Sequence, residues 1–91
     1  MLPVIWLDEA LQDLAVITTY IAQRSTIAAN KINDNIFQCA DILGEHPLLF
    51  RPGRVAGTRE MVVHPNYILV FRVTVSSVEI LNVLHSRQAY P

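Results

Sequence analysis

Two kinds of apolar spacing divide the chain near residue 57. Before that point, apolar residues recur every three or four positions. In "EALQDLAVITTYIAQR", residues 9–24, Ala10, Leu14, Ile17 and Ile21 fall on one face of a helix. In "IAANKINDNIFQCADIL", residues 27–43, the matching stripe runs through Ala28 or Ala29, Ile32, Ile36, Cys39 and Leu43. Asp8 is placed to cap the first helix and Ser25 or Thr26 the second, while Gly44 followed by Pro47 predicts where the second stops. So short a connection makes the pair an antiparallel hairpin. Ahead of it, "PVIWL", residues 3–7, is short, apolar and β-branched, and predicts a strand.

Beyond residue 57 the period switches to two. "TREMVV" (58–63) alternates, "YILVFRV" (67–73) is a strongly apolar strand, and "VEILNVLH" (78–85) is the last strand, with turns at "HPNY" and "TVSS". "HPLLFRPGRVAG" (46–57) holds two prolines and two glycines and reads as a loop, with a short extended piece at "LLFR". The order is β-α-α-β-β-β: a single α+β domain over residues 1–91, its helical hairpin laid on one face of a small, mainly antiparallel sheet.

The turns also predict a register. A two-residue loop at Pro65 and Asn66 sets Arg59 opposite Arg72 and Met61 opposite Val70. A four-residue turn from Thr74 to Ser77 sets Arg72 opposite Glu79. The resulting ladder gives Arg72 and Glu79 a structural use, as a cross-strand ion pair. Arg59, nearer the sheet edge and the loop, is expected to be freer to meet a partner.

Composition adds a partner to this picture. A chain of 91 residues buries only about 60–65% of its unfolded surface. Yet 52% of its residues are hydrophobic and 16% charged, against about 25% charged in an average domain. The mean hydropathy is +0.32. Apolar surface beyond what the core can use predicts a partner covering an apolar groove. A membrane is not expected to be that partner, because the longest apolar run, "YILVF", falls far short of the roughly 20 residues of a spanning helix. "MLPVIW" shows neither a basic leader nor a cleavage site, and Cys39 stands alone, so a cytoplasmic location is expected. Cys39 lies on the core stripe and reads as packing. His46, His64 and His85 are scattered, so neither a metal site nor a cofactor is expected.

Charge is unevenly spread. Residues 1–45 set Arg24 and Lys31 against six carboxylates, a net −4, whereas residues 46–91 set five arginines against Glu60 and Glu79, a net +3. Arg51, Arg54, Arg59, Arg72 and Arg87 make the second half the working half, since guanidinium groups suit bidentate contact with carboxylates and phosphates.

Three strings then match a known family in order and spacing. "DEALQDLAVITTYIA" resembles the first helix of the RelE/ParE toxin superfamily. "RPGRVAGTREMVVHPNYILVFRV" resembles its loop and central hairpin, and "VEILNVLHSRQAYP" is similar to the ending of its ParE-like branch. The resemblance runs from Trp6 to Pro91. It implies the toxin of a type II toxin–antitoxin pair, held in a hetero-oligomer by a partly disordered antitoxin that folds on binding.

The superfamily divides in activity. RelE-like members are ribosome-dependent mRNA endonucleases, whereas ParE-like members act on DNA gyrase where a target is known, without cutting nucleic acid themselves. Strand cleavage needs a base, an acid and a cationic clamp on the phosphate. The RelE-type arginine of the central strand falls at Ile68 here, and the loop has no lysine pair. His85, Arg87 and Tyr90 would be the catalytic candidates of a nuclease. The ParE-like reading assigns no catalytic residue and no direct nucleic-acid binding. It offers Arg51, Arg54, Arg59, Arg87, His85 and Tyr90 as target contacts. A non-toxic binding module of the same fold is the third possibility. His85 also has a plain structural use, a hydrogen bond to a neighbouring backbone carbonyl.

Overall fold

The computed structural model describes residues 1–88. Strand β1 (Val4–Trp6) leads into helices α1 (Asp8–Ala22) and α2 (Thr26–Glu45), followed by strands β2 (Arg59–His64), β3 (Tyr67–Val73) and β4 (Val78–His85). The predicted β-α-α-β-β-β order is the observed one. The four strands form one sheet in the order β1-β4-β3-β2. β2-β3 and β3-β4 pair antiparallel, and β1 joins β4 in parallel with Val4 opposite Val78, so the sheet is mixed. Among the described residues no helix is long and apolar enough to cross a membrane.

Pairing of β1 fixes where α1 begins. The Leu7 amide donates to the Ile80 carbonyl at 3.0 Å, which keeps Leu7 extended and makes it the N-cap in place of Asp8. Asp8 and Glu9 fall instead in the first turn, where negative charge complements the helix dipole. At α2 the cap is Ser25, whose hydroxyl accepts the Ala28 amide at 3.1 Å.

Gly44 does not end α2, which runs through it to Glu45. The glycine is needed because the start of the chain crosses there. The Leu2 amide donates to the Gly44 carbonyl at 2.9 Å, and a Cβ at residue 44 would lie 2.6 Å from the Leu2 carbonyl oxygen. The obstacle is backbone and yields little. Gly44→Ala should therefore cost about 1–3 kcal/mol, read as a lower urea midpoint at unchanged slope.

The core lies between the hairpin and the sheet. Ala10 and Leu14 of α1 and Ile36, Ala40 and Leu43 of α2 meet Met61, Val63, Leu69, Phe71, Val78, Ile80 and Val83. Cys39 packs at the margin of this cluster, and burial pushes its thiol pKa up, away from the reactive thiolate.

Strand register departs from expectation at one bulge. His64 pairs with Tyr67 as the two-residue loop requires, but a bulge between Val62 and His64 shifts the rest by one. Arg59 consequently faces Phe71, not Arg72, and Met61 faces Leu69, not Val70. The slip moves Arg59 to the face of Phe71, away from Arg72. The turn at residues 74–77 behaves as expected: Arg72 faces Glu79, and the two form an ion pair at 2.7 Å.

Candidate functional site

Alternation along the strands sorts the candidate residues onto two faces. Leu69, Phe71, Met61 and Val83 point to the helices. Ile68, Val70 and Glu60 therefore point the other way. Ile68 and Val70 are nonetheless buried, at 4% and 2% exposure, so β3 is covered on both sides.

On that second face Glu60 is 4% exposed and anchors the loop before β2. Its Oε1 accepts from Arg51 Nη2 at 3.1 Å, and its Oε2 accepts from the Arg54 backbone amide at 3.2 Å. The Arg54 Nε lies 3.6 Å from the same Oε2. The Glu60 amide donates to the Arg51 carbonyl at 3.0 Å, and Pro52 forms a bridge with Arg59. The extended contact of the loop thus falls at residues 51–52, at the end of the predicted "LLFR". Arg54 also donates through Nη1 to the Gln88 carbonyl at 3.2 Å, which brings the loop to the tail. The Arg51 side chain is 56% exposed, and Arg87, next in sequence to Gln88, is exposed as well.

Arg59 is not available as expected. It faces the helix side, and its Nη1 donates to the Phe50 carbonyl at 2.8 Å and the Leu48 carbonyl at 3.5 Å. This arginine folds the loop back so that Phe50 meets Phe71 edge-on, with ring centroids 6.4 Å apart. Its position beside the loop supplied ready carbonyl partners, and the bulge aimed it at them.

His85 sits on the helix-side face, opposite Tyr67, with ring centroids 5.7 Å apart. Its Nδ1 accepts the Arg87 amide at 3.1 Å, so its backbone partner is a donor and not the expected carbonyl. His64 flanks the other side of Tyr67 and accepts the Asn66 amide in the same way, at 3.1 Å. His85 and Tyr67 border an open groove of about 690 Å³ whose far wall is Asp13, Val16, Ile17 and Tyr20 of α1. Val16 and Tyr20 are 70% and 61% exposed, and they supply the apolar surface expected from the composition. Tyr90 lies outside the described residues.

The register places His85 and Glu60 on opposite faces of the sheet. Ile68, where the nuclease branch has its arginine, is on the face away from His85, with Arg51 and Arg54 gathered around Glu60 on Ile68's side. Arg54 nevertheless reaches the tail at the Gln88 carbonyl, and Gln88 lines the same groove as His85.

Two important residues gave no functional signal at the level of motif. One is Glu60. The apolar run "YILVF" could have flagged it, because a strand buried on both faces makes a neighbouring carboxylate buried too, and so in need of a partner. The other is Asp13, whose Oδ2 accepts from the Val83 amide at 3.0 Å and Asn82 Nδ2 at 3.1 Å. It closes the β4 edge beyond the end of β1. Asp13→Ala should leave the buried Val83 amide without this acceptor and cost about 1–3 kcal/mol, measurable as a lowered midpoint of thermal unfolding.

Known proteins are similar over almost the whole chain. Over 87 residues the chain is 38% identical to Y4kP of Sinorhizobium fredii, whose name assigns it provisionally to the toxins, with 94% of this chain and 90% of that one covered. It is 36% identical over 88 residues to toxin RelE2 of Caulobacter vibrioides, covering 94% and 97%. A structure of the chromosomal ParDE toxin–antitoxin system from P. aeruginosa superposes with a TM-score of 0.81 over 93% of this chain and 96% of that one, at 24% identity, which speaks for the fold. Residues 4–90 match the family described as "ParE toxin of type II toxin-antitoxin system, parDE". The chain belongs to the ParE toxins of type II toxin–antitoxin systems, within the RelE/ParE superfamily.

Proposed function

We propose that this toxin acts by binding DNA gyrase and obstructing its turnover, and that a cognate antitoxin neutralises it. The observation that carries the reading is that Arg51 and Arg54 both pair with the buried Glu60, which lies on the face of the sheet away from His85. Phosphodiester cleavage requires proton-transfer groups and cations to converge on one phosphate. Here the cations converge on a buried carboxylate instead. A guanidinium surface held firmly in place suits recognition of a protein surface, where arginine is among the residues that contribute most to binding. Arg51, Arg54 and Arg87 form the target-contact surface in this reading. Arg59 supports the loop behind it.

The antitoxin's place in this reading follows from the groove beside α1. Val16 and Tyr20 give its α1 wall exposed apolar surface beside the polar Asp13, Asn66, His85 and Gln88, and an amphipathic segment laid there would bury them. Covering that groove leaves the arginine face to be blocked sterically or by ordering of the bound chain. Purified toxin mixed with gyrase and relaxed plasmid should suppress supercoiling, and added antitoxin should restore it. Cleavage of translated mRNA by the same preparation, lost in His85→Ala with Tyr90→Phe, would replace this reading with the nuclease one.

A further inference from the structure

We infer that Glu60 is a positioning residue that sets the arginine surface from beneath, through a relay running Glu60 to Arg54 to the Gln88 backbone. This inference rests on the reading that the loop and tail arginines meet the target. Glu60 itself is buried, so it cannot touch a partner. Its two carboxylate oxygens divide their work. Oε1 orients the Arg51 guanidinium, and Oε2 holds the Arg54 main chain. The Arg54 side chain then passes the constraint to the tail by donating to the Gln88 carbonyl.

Other bonds keep this relay from being redundant with the rest of the loop. The loop between residues 53 and 58 closes on itself, through the Gly53 amide to the Thr58 carbonyl at 2.8 Å and the Thr58 amide to the Val55 carbonyl at 3.1 Å. Gly57 turns it at a φ of 82°. Those bonds shape the loop, but its placement over the sheet comes from residues 51, 54 and 59. The tail, for its part, turns back through Ser86 to Asn66 and Gln88 to His85. Arg54 links these two segments, each of which closes on its own hydrogen bonds. A charge-assisted bond is about twice as strong as a neutral one, and the low exposure of Glu60 shields it from water.

Glutamine at residue 60 keeps the shape but supplies one acceptor oxygen, so its amide nitrogen would oppose an N–H group. Arg54→Ala is the milder change, since its side chain is 40% exposed and the Glu60–Arg51 pair survives. Amide hydrogen exchange on the purified full chain is the direct readout. Glu60→Gln should speed exchange at Arg54 about tenfold. Both variants should speed it about tenfold at Arg87 and Gln88 while leaving β3 unchanged. Both should also reduce growth arrest about tenfold at matched expression, with antitoxin affinity retained. Unchanged exchange at residues 87 and 88 in both variants would overturn the inference, as would full growth arrest by Glu60→Gln. Gyrase turnover is scored separately on the unmodified toxin. If it is normal while the two variants lose growth arrest, the gyrase reading fails and the positioning role of Glu60 stands.

Discussion

Phe71→Ala is expected to cost the toxin about a third or more of its stability. Phe71 is fully buried at the centre of β3, and it is the largest of the side chains enclosed by the hairpin and sheet. Replacing it removes the transfer free energy of the ring and opens a cavity, together worth about 3–5 kcal/mol. It also removes the partner against which Phe50 packs, and with it the inner wall of the 46–58 loop. A domain of this length has a total stability of about 5–10 kcal/mol, so the loss takes from about a third of it to all of it. Phe71→Leu, which fills more of the space, should cost distinctly less. Urea unfolding followed by circular dichroism distinguishes the two, with the midpoint falling steeply for alanine and modestly for leucine. A domain that tolerates Phe71→Ala at a cost below about 1 kcal/mol would mean that the core does not close around β3.

The second large effect is functional and should occur with the fold intact. Arg51→Ala combined with Arg87→Ala is expected to reduce growth arrest by about a hundredfold or more. Each substitution removes a charged hydrogen-bond donor from the target surface, worth about 1.5–3 kcal/mol. Both side chains are exposed, and neither belongs to the core. Arg51 does pair with Glu60, but Arg54 also pairs with that carboxylate. Because Glu60 is buried and loses one of its two arginine partners, thermal stability should fall by about 1–3 kcal/mol. His85→Ala, by contrast, should retain most of the growth arrest, because His85 faces the groove beside α1. Measuring arrest and antitoxin affinity for the double variant and the histidine variant separates the two surfaces. The arginine pair should lose arrest and keep the antitoxin, and the histidine should show the reverse bias.

Much of this architecture is legible in the residues themselves, and the reasons differ by element. The helices are legible because their stripes repeat at 3.6 residues. Ala10 and Leu14 on one helix and Ile36 and Leu43 on the other are buried where that period places them. The Arg72–Glu79 pair is legible because a turn of fixed length carries its register forward. The position of Arg59 is not, because one extra residue near Val63 slips the ladder and no local signal marks it. Nor does Gly44 read correctly. A glycine near a helix end resembles a stop signal, whereas its use here is to admit the Leu2 carbonyl from a distant part of the chain.

The candidate surface is legible in its residue types but not in its division. Five arginines in the second half announce a cationic surface, and Arg51 and Arg54 gather at Glu60, with Arg54 reaching Gln88 next to Arg87. Which arginines are committed to the fold depends on where backbone carbonyls fall, and that is tertiary information. Arg59 shows it most plainly, bound to two loop carbonyls that sequence spacing alone does not bring near. The tail motif "HSRQAYP" serves both features at once: His85 and Gln88 line the groove, and the Gln88 carbonyl is also tied to the loop through Arg54.

Binding of gyrase, in place of RNA cleavage, is the activity proposed for this toxin. A supercoiling assay with purified gyrase, relaxed plasmid and saturating toxin tests it head-on. Negatively supercoiled product should fail to accumulate with the unmodified toxin and should reappear with Arg51→Ala combined with Arg87→Ala. Normal supercoiling in the presence of saturating, correctly folded toxin would contradict it.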